Sequence, residues 1–109
     1  MRNGKSVENE LASAMRRYIR SLDSKARLSE ASIQVVPSGY GTFDVIATHP
    51  SFGNLNPAAR LDRLWPFMRK ALSREALELV AGVSMATPEE VDYARAIGAI
   101  PSKPEMVAI

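Results

Sequence analysis

The chain contains no cysteine. That absence excludes disulfides, thiolate nucleophiles and any cysteine-ligated zinc or iron–sulfur site built by this chain alone. Histidine is nearly absent too, with His49 the only imidazole. A nucleophilic serine would therefore have a single candidate base, and neither a Gly-x-Ser-x-Gly element nor a P-loop occurs. Glu89 and Glu90 are adjacent carboxylates, but on a helix they point apart and suit capping better than shared acid–base work. No apolar run approaches the roughly 18–20 residues of a membrane span. The segment from Met1 to Ser6 leads into charged residues rather than into the apolar core of a secretory signal. Together these absences predict a cytoplasmic protein without enzymatic activity or a membrane anchor.

What is present points to one small core. An apolar content of 46% against 24% charged residues argues against disorder, and 109 residues suffice for a single modest domain. Charge is uneven. Arg60, Arg63, Arg69, Lys70 and Arg74 cluster in the middle of the chain against Asp62 and Glu75, while the last third is acidic. Such a patch attracts anions, although a net charge of +2 is small for a dedicated nucleic-acid binder.

Hydrophobic periodicity predicts the elements. Ser6 is placed to cap a first helix, along which Leu11, Met15, Tyr18, Ile19 and Leu22 form an apolar stripe with Arg16, Arg17 and Arg20 mostly off it. Residues 32–36 and 43–48 read as short strands. The Pro37-Ser-Gly-Tyr-Gly41 turn between them makes a hairpin, with Phe43, Val45 and Ala47 facing one way. A loop from His49 to Pro57 follows, then a stripe of Leu61, Leu64, Trp65, Met68 and Leu72 that Pro66 interrupts; a helix in two parts is expected. Ser73 can cap a further turn through Leu77. Residues 79–86 read as a third strand, with Leu79, Ala81, Val83 and Met85 alternating against Val80. Thr87-Pro88-Glu89-Glu90 combines an N-cap, a proline at the first helical position and a capping-box glutamate. Val91, Ala94 and Ile97 would be the last helix's apolar face, and Gly98 its stop. Residues 1–98 are thus expected to form one domain of order α-β-β-α-β-α. Residues 99–109, with Pro101 and Pro104 and no evident core face, are expected to be a flexible tail.

Several of these residues, in this order and spacing, resemble the BolA-like family of stress-response proteins over roughly half the chain. Phe43-Asp44-Val45 is similar to the family's aromatic-x-aliphatic second strand, Ser51-Phe52 to its loop mark, and Arg60 to the first arginine of its Arg-His-Arg element. Leu64-Trp65, Leu72 and the run from Val83 through Thr87-Pro88-Glu89-Glu90 continue the resemblance. It implies an α+β fold in which a three-stranded mixed sheet packs on helices, related to the type II KH domain. It also implies a non-enzymatic adaptor that pairs with monothiol glutaredoxins around a shared iron–sulfur cluster, and for some members a link to DNA. The family's cluster-ligating histidine, just before the third strand, corresponds here to Leu79, which cannot ligate iron. Thr42 stands where another family histidine is frequent, and the Arg-His-Arg element is reduced to Arg60-Leu61-Asp62.

Two sets of candidate residues follow. For a protein partner of glutaredoxin type they are Tyr40, Thr42, His49 and Phe67. His49 is also the one candidate metal ligand, a substitute imidazole for a partner's iron–sulfur cluster; the plainer reading is a loop histidine before Pro50. For nucleic acid they are Arg60, Arg63, Arg69, Lys70 and Arg74, joined on a phosphate-binding face by Arg16, Arg17 and Arg20. The plainer reading is a solvated helix face whose cations complement the helix C-terminus. A KH-type phosphate clamp is not expected, because no Gly-x-x-Gly joins the helices. No cofactor of its own is expected, and the chain is read as a monomer or weak dimer.

Overall fold

The computed structural model describes residues 4–98, with side-chain environments from Ser6 onward. Its elements are α1 (Gly4–Leu22), β1 (Ser32–Gly39), β2 (Thr42–Thr48), α2 (Pro57–Ala71), α3 (Arg74–Leu79), β3 (Val80–Ala86) and α4 (Pro88–Ala96), with short 3₁₀ turns at Leu28–Glu30 and Pro50–Asn54. The sheet order is β1-β2-β3. The β1–β2 pair is an antiparallel hairpin, and β3 runs parallel to the central β2 after the α2–α3 crossover. This is the expected α+β fold with a mixed three-stranded sheet against helices.

Strand register explains the core. Ile33, Ala47 and Met85 form one cross-strand row, and Val35, Val45 and Val83 the next. All six pack into the core with Phe43 against the helices. From α1 come Val7, Leu11, Ala14, Met15, Tyr18 and Ile19, all essentially inaccessible; α2 adds Leu64 and Met68, and the Pro50–Asn54 turn adds Phe52. Each fully buried large side chain contributes about 1.5–3 kcal/mol before the cost of ordering it. The outer row Gln34, Ile46 and Ser84 is exposed, so the sheet is covered on one face.

Several expectations need correction. The α1 helix reaches back to Gly4, so Ser6 lies inside it rather than capping it. The expected two-part second helix is one helix, capped by Asn56, whose side chain accepts from Ala59 N–H, with Pro57 at its start. Pro66 and Asp62, whose carbonyl lacks its usual N–H partner from position 66, both lie on the exposed outward face, and the helix continues through them. Leu79 ends α3 instead of opening β3. The β2–β3 register shifts between Phe43 and Asp44, which leaves Ala81 exposed and turns Val80, paired with Phe43, toward the core. The apolar face expected on α4 is not buried. Val91 and Ala94 are half-covered, and Tyr93 and Ile97 are 67% and 60% exposed. The expected tail at 99–109 lies outside the described residues.

Candidate functional site

One candidate surface is the hairpin tip. Gly39 pairs with Thr42, leaving a two-residue loop of Tyr40 (φ 56°) and Gly41 (φ 78°). Positive φ at both central positions is the type I′ pattern, whose twist matches that of the strands it joins. Thr42 Oγ1 donates to the Gly39 carbonyl at 2.9 Å, so the Ser38 hydroxyl, 2.7 Å away, donates to Thr42 Oγ1. Thr42 therefore works inside the turn. Tyr40 does not: its side chain is fully exposed, and a non-glycine residue in the left-handed region costs roughly 1–2 kcal/mol. Asparagine and glycine fill this position at less cost. The Phe43–Val80 pairing brings Leu79 and the start of β3 to the same end of the sheet.

His49 lies at the opposite end of β2. Seven strand residues beyond Thr42, at about 3.3 Å each, put it roughly 23 Å from the tip. It is 2% exposed. Its Nδ1 accepts from Ser51 N–H at 3.1 Å with the Ser51 hydroxyl at 2.9 Å, so the ring proton is on Nε2, which donates to the Arg27 carbonyl at 3.1 Å. Both nitrogens are engaged in holding the loop after β2, whose backbone is pinned by His49 N–H to the Ala86 carbonyl. The residues present do not fit an iron–sulfur ligand set. Leu79 offers no donor atom, His49 has no free nitrogen, and no group of three or more His, Cys, Asp or Glu residues converges among the described residues.

The basic residues separate into unlike environments. Arg60 is 4% exposed and faces inward. Its guanidinium donates to the carbonyls of Phe52 (2.8 Å), Leu55 (3.1 Å) and Met85 (3.1 Å), and pairs with both Glu90 carboxylate oxygens at 2.7 and 3.0 Å. It fastens α4 and the end of β3 to α2 and is turned away from any external phosphate. The Arg60 hydrogen bonds, with the Thr87 backbone N–H, hold the Glu90 carboxyl down at about 2. Arg74 pairs with Glu78 at 3.3 Å on the surface. Arg69 is exposed and lies about 100° around the helix from Lys70. Arg63 and Lys70, spaced with Phe67 at i, i+4 and i+7, share the flank of α2 that meets α1. Phe67 is half-buried there, edge-on to Tyr18 at 5.5 Å between ring centres.

The four residues considered for a protein partner thus do not form one surface. Tyr40 and Thr42 share the tip, His49 supports the far end of the sheet from inside, and Phe67 lies between α1 and α2. The Arg60–Glu90 pair was beyond sequence reasoning, although Glu90 as a capping-box residue was not. No protein-family model, curated protein or solved structure matches the chain. No helix among the described residues is long and apolar enough to cross a membrane.

Proposed function

We propose that this protein is a non-enzymatic adaptor of BolA-like type that binds a protein partner through the sheet end formed by the Tyr40 hairpin tip and the start of β3. The observation that carries this reading is Tyr40 itself. An aromatic ring with no packing role stands in a backbone conformation that disfavours it, at the point of the molecule best placed for contact. Tyrosine is also the residue type most often energetically dominant in protein interfaces, together with tryptophan and arginine. The resemblance supplies the partner class, a monothiol glutaredoxin in the cytoplasm. The engaged nitrogens of His49 and the leucine at position 79 favour contact without shared cluster ligation.

The test is titration calorimetry with a cluster-free monothiol glutaredoxin, using wild type and Tyr40→Asn. Asparagine keeps or improves the turn and removes the ring. Binding by wild type that falls at least tenfold in Tyr40→Asn, about 1.4 kcal/mol, is the expected result. Equal affinity of the two proteins, or no binding by wild type, refutes the reading.

A further inference from the structure

The groove between α1 and α2 is unused by the adaptor surface, and its lining is chemically distinctive. The two helices run antiparallel: Glu10 contacts Ser73, Arg17 meets Ala71, and Tyr18 meets Phe67 and the Arg60 carbonyl. Between them is an open groove of about 390 Å³ lined by Arg17, Phe67, Lys70 and Ala71, near the lower end of the range for small-molecule sites. Arg63 adds charge one turn before Phe67 on the same flank. Arg20 stands one turn beyond Arg17 on α1.

The described ion pairs are Arg60–Glu90 and Arg74–Glu78, and neither involves Arg17, Arg63 or Lys70. Arg17 makes one long hydrogen bond, 3.5 Å to the Ala71 carbonyl, which leaves most of its guanidinium free. Complementing the negative end of α2 accounts for Lys70 but not for Arg63, which lies in the half of the helix nearer its positive end. Phe67 is held from behind by Tyr18, so its remaining exposed surface lines the groove at a fixed angle.

We propose that this groove binds a phosphate attached to a planar ring, that is, a nucleotide unit, free or within a single strand. The cations take the phosphate and Phe67 the ring, the combination by which proteins hold single-stranded nucleic acid without reading sequence. An acidic peptide would use the charges but leave the ring without a function.

The test is anisotropy of a dye-labelled oligo(dA) strand with the whole protein, from low to physiological salt. Arg17, Lys70 and Arg69 are all exposed, so glutamine at each leaves the core intact. The expected result is that Arg17→Gln plus Lys70→Gln reduces affinity at least tenfold and flattens the log–log salt slope by about 1.4. Arg69→Gln, equal in charge to Lys70→Gln but on the outward face, should change little. Phe67→Leu should cost about fivefold or more with the slope preserved. Adenosine monophosphate that displaces the strand identifies the free nucleotide as sufficient. Failure to displace, with the strand still bound through these residues, identifies the strand. Equal losses in Arg69→Gln and Lys70→Gln, equal competition by a glutamate-rich peptide, or no binding at low salt overturns the proposal.

Discussion

Replacing Glu90 with glutamine should destabilise the protein at neutral pH and have no effect in strong acid. The Glu90 carboxylate accepts from Nη1 and Nη2 of Arg60 and from Thr87 N–H at 2.8 Å, while Arg60 itself is buried. Its pKa falls from an ordinary 4.5 to about 2. At about 1.36 kcal/mol per pH unit, that depression corresponds to roughly 3 kcal/mol. The Glu90 side chain is 42% exposed. Solvent screening therefore reduces the contribution to about 1–2 kcal/mol. Because the folded-state value is the lower one, the stabilisation is complete above about pH 4.5 and is lost as pH falls toward 2. Urea unfolding of wild type and Glu90→Gln, followed by circular dichroism at several pH values, should show a difference of about 1–2 kcal/mol at pH 7 that closes through this window. At neutral pH the variant should melt several degrees lower. Equal stability at pH 7, or a deficit that does not change down to pH 2, would refute the argument.

His49→Phe should lower stability by about 2 kcal/mol, since it strands the buried Ser51 N–H and leaves the Arg27 carbonyl with the Glu30 N–H alone. Urea unfolding measures this, and an unchanged midpoint would return His49 to consideration as a ligand. Thr87→Ala should cost about 1 kcal/mol by removing one half of the capping box, and Thr87→Ser should recover most of it. Faster amide exchange across α4 in the alanine variant is the accompanying signature, and exchange unaltered by the substitution would count against it.

The division between legible and illegible parts is clear at particular residues. Thr87, Pro88 and Glu90 announced their capping box because each partner lies within four residues, where helix geometry leaves little choice. The stripe of Leu11, Met15, Tyr18 and Ile19 and the inward set of Phe43, Val45 and Ala47 were equally readable, since periods of 3.6 and 2 place those side chains on one face. The hairpin turn followed from Gly39 and Gly41 for the same local reason.

Pairings distant in sequence were not legible. Arg60 and Glu90 are thirty residues apart, and a cation in a basic helix looks solvent-facing until β3 and the Phe52 loop close around it. His49 looked like a loop histidine until Arg27, twenty-two residues earlier, supplied the acceptor for Nε2. The register shift at Phe43–Asp44 and the uncovered α4 likewise depend on how elements dock. Sequence alone therefore determined the order of the elements and the inward faces of α1 and β2, because those outcomes rest on short-range sterics and hydrophobic period. Tertiary structure decided which polar groups are consumed inside and which remain at the surface. Partner choice for a buried charge or imidazole depends on what the folded chain brings within 3 Å, and no local pattern encodes that distance.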